Sequence, residues 1–490
     1  MSKTPLSPAR ITGAQYPGSV EIFSFCRKKF IFRLQAEQKL RIYLPLHSFM
    51  PPRSGNAVPL CGSSGGTSMP GMMGRRVRHR RYGLPVRAVA ALVSLSLLAG
   101  CGGHAKGVMT PVALASPAAT AQVEMLVATT REPSGNPATL FSGERSAELS
   151  FTDIAVSIPP ASRRKVGEVQ WPRRLPPDPQ TDFAVTRVEK LASRDEARAW
   201  FHRHNVGGHV FLFVHGFNNT YEDAVFRLAQ IVHDSGAKAT PMLFTWPSRA
   251  RVLDYNYDKE STNYSRTALE DGLRALATAP DVTEVTILAH SMGTWLTMEA
   301  LRQMGIRDGR IAPKIRNVIL ASPDIDLDVF AKQWVDLGKG RPKFTIFVSQ
   351  DDRALALSRL ISGDVSRLGA IDPTAEPYRS QLEKAGITAI DLTKVKTEDG
   401  LHHGKFAESP EIVQLIGQRI MTGQTLTDSE MTLGDGITAV VAGTAKNVGT
   451  VAAATISAPV NILEQPARPR KKKPALGETL ESDAEGGATN

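Results

Sequence analysis

The chain has 490 residues, of which 42% are apolar and 22% charged, enough to bury a sizeable core; this excludes a disordered chain and a disulfide-stapled miniature fold. Its formal net charge of +11 points toward a nucleic-acid binder only until the charge is located. Residues 1–100 hold 15 Lys and Arg against two Glu, so residues 101–490 carry 44 basic and 46 acidic side chains, a net of −2, and no nucleic-acid partner is expected.

Within the basic segment, Arg75, Arg76, Arg78, Arg80, Arg81 and Arg87 precede an apolar run at 88–99 that ends in Leu98-Ala99-Gly100-Cys101. A run of 12 residues is too short to span a bilayer stably, so it reads as a cleaved export signal at 73–100. Leu-Ala-Gly-Cys resembles a bacterial lipobox, in which the thiol is acylated and becomes the first mature residue. The only cysteines are Cys26, Cys61 and Cys101, so cleavage before Cys101 leaves one cysteine and no internal disulfide. By resemblance to lipoprotein sorting, Gly102 in second place favours the outer membrane, facing the periplasm. Residues 1–72 lie upstream of a signal of normal length and read as an over-extended start or a disordered stretch.

A flexible Ala/Pro/Thr-rich tether at 101–121 follows, and apolar runs then alternate with helical patterns. Residues 124–128 and 153–158 read as early strands, and 193–204 as a helix with Ser193 as N-cap. Short buried strands are predicted at 209–214, 241–245, 285–289, 316–321 and 343–349, with a last apolar run at 387–392. Helices are predicted at 221–234, 265–277, 292–304 and 327–337. This alternation specifies the α/β class, a mostly parallel central sheet with helices on both faces. The catalytic domain is expected at 122–422, closing with a helix that starts at Pro410. In the tail, 423–490, residues 437–463 are rich in small side chains, but Lys446 and Asn447 interrupt them as a membrane span, leaving a loosely ordered extension as the favoured reading and a small-residue amphipathic segment docked on the domain or a membrane as the alternative. The basic run 468–473 and the acidic stretch 478–485 read as a solvated tail.

The strongest local signal is Ala289-His290-Ser291-Met292-Gly293 between a strand and an amphipathic helix. A serine on such a sharp turn needs small residues two places to either side, which marks Ser291 as a candidate nucleophile at the positive end of a helix. An oxyanion hole needs two backbone N–H groups. Met292 supplies one, and Phe217, in His215-Gly216-Phe217-Asn218-Asn219 after an earlier strand, supplies the other. His215 precedes the serine and reads as a structural loop histidine. In the alpha/beta-hydrolase fold the order is serine, acid, histidine. The acid is Asp352 or Asp324, each just past a strand, with Asp352 favoured because it follows the second crossover after the elbow. The base is one of the pair His402-His403. His202, His204, His209 and His215 lack metal-ligand spacing, so no metal and no cofactor are expected. Residues 254–261, with two tyrosines, read as a loop at the site rim.

The ordered motifs Val127 to Arg131, Val156 to Pro160, Val214 to Asn219, Thr245-Trp246-Pro247-Ser248, Leu253 to Ser261, Ala289 to Gly293, Ser322 to Asp326 and Asp352 to Leu355 resemble a bacterial family of alpha/beta-hydrolase domains of unknown function, usually described as esterase- or lipase-like. The resemblance covers about residues 121–422. It implies that His403, in His403-Gly404-Lys405-Phe406 before Ser409-Pro410, is the base. Lys405 departs from the aromatic residue the family places there.

The expected activity is therefore cleavage of a carboxylic ester, on a small-molecule or lipid substrate, through an acyl-enzyme with Ser291, His403 and Asp352. The expected location is the bacterial envelope, with membrane attachment through Cys101. A non-catalytic partner-binding lipoprotein on the same scaffold and an acyltransferase are the alternatives. Nothing in the sequence names a protein partner.

Overall fold

A computed structural model describes residues 105–114 and 120–417, together with a short strand at Thr438–Val440. Cys101, the signal-like segment and most of 423–490 lie outside the described residues. Among the described residues no helix is long and apolar enough to cross a membrane.

The chain builds one ten-stranded sheet. In chain order the strands are β1 (Ala121–Pro133), β2 (Phe141–Ile158), β3 (Ala184–Leu191), β4 (His209–Val214), β5 (Thr240–Thr245), β6 (Glu284–His290), β7 (Ile315–Ala321), β8 (Lys343–Val348), β9 (Thr388–Asp391) and β10 (Thr438–Val440). Their spatial order is β10-β9-β8-β7-β6-β4-β5-β1-β2-β3. From β9 to β1 all neighbours are parallel, while β2, β3 and β10 close the edges in antiparallel pairing. The central strands are near-continuous apolar runs, as in His209-Val-Phe-Leu-Phe-Val214, because both of their faces are covered.

Nine helices cover the sheet among the described residues: α1 (Arg194–His204), α2 (Tyr221–Ser235), α3 (Tyr255–Thr278), α4 (Met292–Asp308), α5 (Leu327–Asp336), α6 (Arg353–Ile361), α7 (Tyr378–Ala385), α8 (Lys405–Glu408) and α9 (Pro410–Leu415). Their starts are written locally. Ser193 caps α1 by accepting from the Glu196 amide, Thr220 and Asp223 form a reciprocal capping box on α2, and Ser409 caps α9 with Pro410 in the first turn. One core packs α1, α3, α4 and α5 on one face; the other packs α2, α8 and α9 with residues 108–109 on the opposite face.

One sequence expectation is corrected. Residues 255–261 are the first two turns of α3, not a rim loop. The buried face there is Tyr255, Asp258, Ser261, Thr262 and Ser265, so the helical period is carried by polar side chains and leaves no apolar signature. Of the extension at 437–463 only Thr438–Val440 lies within the described residues; it forms β10, which pairs Ala439 with Ile390 on the sheet edge, as the docking alternative allows. β3, α6 and α7 were not legible, since each is short or half exposed.

Candidate active site

The chain leaves β4, adds β5 on one side, and returns to place β6 on the other side of β4. The helices that follow, α2 and α4, pack on opposite faces. The carboxyl ends of β4 and β6, where Val214 pairs with Ala289, are therefore the switch point of the sheet. Open parallel sheets gather their ligands at such a switch point. The loop 215–219 and Ser291 are the two segments that meet there.

Ser291 stands between β6 and α4 with φ 51° and ψ −123°, a conformation that L-residues rarely adopt. The small neighbours are required by space. A methyl group on Gly293 would lie 2.2 Å from the His215 carbonyl oxygen, and one on Gly216 would lie 2.9 Å from Ser291 Cβ. The start of α4 and the 215–219 loop can thus approach only because both positions are glycine. Ser291 is nearly buried, and the Met292 amide begins α4 beside it.

Phe217 sits on a loop held from beneath by a buried polar cluster. Fully buried Arg131 donates to the carbonyls of Asn219 (2.8 Å) and Ser248 (2.9 Å) and to Thr245 Oγ1 (2.9 Å). Burial lowers its guanidinium to about 10, with Asp258 opposing. Asp258 accepts from Ser248 Oγ (2.5 Å) and the Arg249 amide (3.0 Å), and Ser248 Oγ in turn accepts from the Asn219 amide. His215 completes the support. The Trp246 amide and the Thr245 hydroxyl both direct donors at Nε2, so Nδ1 carries the proton and donates to the Gly216 carbonyl at 2.8 Å. Burial, then Arg131, holds this ring well below the ordinary histidine value. His215 is a neutral structural residue stacked on Trp246. Arg131 and Asp258 were not singled out in the sequence; a charged residue inside an apolar strand was the available signal.

The two candidate acids have separate partners. Asp352 Oδ2 lies 2.6 Å from His403 Nδ1, with its side chain closed to solvent, while its Oδ1 accepts from the Leu355 amide and caps α6. Asp324 instead faces Arg367 (3.2 Å), Tyr255 Oη (2.9 Å) and Ser358 Oγ (2.6 Å). Burial pulls the His403 imidazole down, yet the hydrogen bond and charge of Asp352 outweigh it and carry the ring above the ordinary histidine value.

Several contacts bring His403 to the serine side. Its carbonyl faces Ser322 Oγ (3.4 Å) and His290 Nε2 (3.3 Å), and its ring lies 4.6 Å from that of His290, the residue before Ser291. Asp399 accepts from the His403 amide and fixes the loop. The His403 ring bonds Asp352 through Nδ1, and no hydrogen bond joins it to Ser291 Oγ among the described residues.

His402 pairs with a different carboxylate, Asp351, at 2.8 Å. Lys405 joins the same carboxylate. It is buried, and its ammonium bonds Asp351 (2.7 Å), Ser349 Oγ (3.1 Å) and the carbonyls of Leu392 and Thr393. The departure from an aromatic residue thus becomes a clamp between the acid-bearing and histidine-bearing loops.

With this geometry in place, the family model described as alpha/beta hydrolase of unknown function (DUF900) matches residues 193–419. Over 61 residues the chain is 36% identical to the uncharacterized protein alr1448 of Nostoc sp., a stretch amounting to 12% of this chain and 16% of that protein. A solved structure described as a "putative cell surface hydrolase" from Lactobacillus plantarum WCFS1 aligns with 46% of this chain and 95% of its own, at 12% identity and a TM-score of 0.28.

Proposed function

We propose that the chain, whose residues 193–419 match the model of an alpha/beta-hydrolase family of unknown function, is a serine hydrolase of esterase type that cleaves a carboxylic ester through an acyl-enzyme. The observation that carries this reading is the buried Asp352–His403 hydrogen bond beside an elbow serine in strained backbone. In the proposed reaction, Ser291 Oγ attacks the ester carbonyl carbon as His403 Nε2 takes its proton. Nδ1–H stays donated to Asp352, which stabilises the imidazolium. The carbonyl oxygen becomes an oxyanion held by the Phe217 and Met292 amides. Collapse breaks the ester C–O bond, and His403 returns the proton to the leaving alcohol. Water then repeats the sequence on the acyl-enzyme, releasing the acid and restoring Ser291.

An apolar substrate is part of the proposal. Leu357, Leu360 and Ile361 lie exposed on the helix that begins at Asp352, and Leu401 is exposed beside the histidine pair. The test is turnover of p-nitrophenyl esters of increasing chain length by wild type and Ser291→Ala. Hydrolysis that disappears in the variant supports the reading, and hydrolysis that persists refutes it. Attachment to the outer membrane through Cys101 is a second part of the proposal, supported by Leu98-Ala99-Gly100-Cys101 alone. It predicts metabolic incorporation of labelled palmitate that Cys101→Ser abolishes; a mature protein retaining Met1 would count against it.

A further inference from the structure

On the face of the sheet under α1 and α3, away from Ser291, lies a cavity of about 180 Å3. Its floor is two rows of side chains running across neighbouring strands. Leu126, Met242 and Leu212 form one row on β1, β5 and β4, and Phe151, Ala128 and Phe244 form the other on β2, β1 and β5. Side chains two apart share a sheet face, which puts both rows under one roof. The cavity thus extends over four strands, about 14 Å at the usual interstrand spacing. A small volume over a floor of that extent is a shallow slot, half open to solvent, with Ala128 leaving the gap between two phenylalanines.

The roof is held open by an omission. Gly272 lies inside the 24-residue helix α3 and lines the slot, and a methyl group added there would meet nothing within 4 Å. Glycine in a helix interior is unfavourable relative to alanine, so the helix carries a destabilising residue where a larger one would fit. The charged residues of the lining are Arg194, Arg198 and Asp271; the remainder offers no side-chain polar group to orient a ring or amide.

We infer that this slot binds a linear alkyl chain of medium length, as in a fatty alcohol or fatty acid, with its head at Arg194, Arg198 and Asp271. The chain is linear because the space is long and narrow, and hydrocarbon because the floor and roof are. This inference is independent of the proposed reaction at Ser291.

The experiment is titration of the purified full chain with 1-decanol and with decanoate by calorimetry, alongside thermal melts. Binding with a raised melting temperature is expected. Gly272→Leu, filling the slot from the roof, and Ala128→Ile, filling it from the floor, should each weaken binding at least about tenfold, since either displaces a few methylenes of the guest. Two variants guard against misfolding of one, which circular dichroism detects. Equal binding of the two ligands assigns recognition to the chain, and stronger decanoate binding adds the arginines; both support the inference. No binding of either ligand to folded wild type, undiminished binding in folded variants, or preferential binding of disc-shaped naphthalene would overturn it.

Discussion

His403 Nδ1 lies 2.6 Å from Asp352 Oδ2, while Asp324, also past the end of a strand, is engaged by Arg367, Tyr255 and Ser358. Two carboxylates that look equivalent in the sequence thus occupy different electrostatic positions. Asp352→Asn is expected to lower kcat by about 10⁴ with little loss of stability, because the amide no longer holds the imidazole tautomer and charge. Asp324→Asn should do the reverse. It leaves the buried Arg367 guanidinium uncompensated, a loss of about 3–5 kcal/mol in stability, with a smaller effect on turnover. Paired measurements of kcat and denaturant midpoint separate the two; the opposite pattern would reassign the acid.

The pH dependence follows from the same pair. A general base works deprotonated, so kcat/KM for a neutral ester should fall as pH drops through the His403 pKa. Asp352 carries that pKa above the ordinary value, so the acid limb should lie above about 6.5. In Asp352→Asn the supporting charge is gone, and the limb of the residual activity should move to lower pH. An unmoved limb would mean that another group controls it.

Arg131 is expected to act through the oxyanion loop. Arg131→Lys keeps the charge but cannot span the Asn219 carbonyl, Ser248 carbonyl and Thr245 hydroxyl at once. A kcat reduced about ten- to hundredfold with KM little changed is expected, since a displaced donor loses transition-state stabilisation. A loss of stability with kcat intact would make the residue purely structural.

Gly216 offers a more local perturbation. Gly216→Ala places a methyl 2.9 Å from Ser291 Cβ and 3.0 Å from His290 Nδ1, so the loop must retreat from the serine. Ester turnover should fall at least about a hundredfold, because oxyanion donors act only at short range, while circular dichroism stays native. Wild-type turnover in a folded Gly216→Ala protein would remove the 215–219 loop from the site.

Much of the fold was legible because its central strands are buried on both sides and its helices carry local caps. The elbow was legible for a steric reason, since Gly293 meets the His215 carbonyl and only a short pattern satisfies that contact. The preference for Asp352 over Asp324 rested on chain order alone, its place after the second crossover, because the histidine it meets lies about 50 residues later. The support under Phe217 was hidden for a related reason. Arg131, Thr245, Ser248 and Asp258 come from three distant segments and form one buried cluster only after the sheet is assembled. Helix α3 escaped notice where its buried face became polar to supply Asp258.

The central claim is that Ser291 is an activated nucleophile, and a fluorophosphonate tests it directly because it reacts at such serines. The account predicts a single stoichiometric adduct, mapped by mass spectrometry to the peptide containing Ser291 and absent from Ser291→Ala. A folded protein that takes up no probe, or an adduct on another residue that survives in Ser291→Ala, would contradict it.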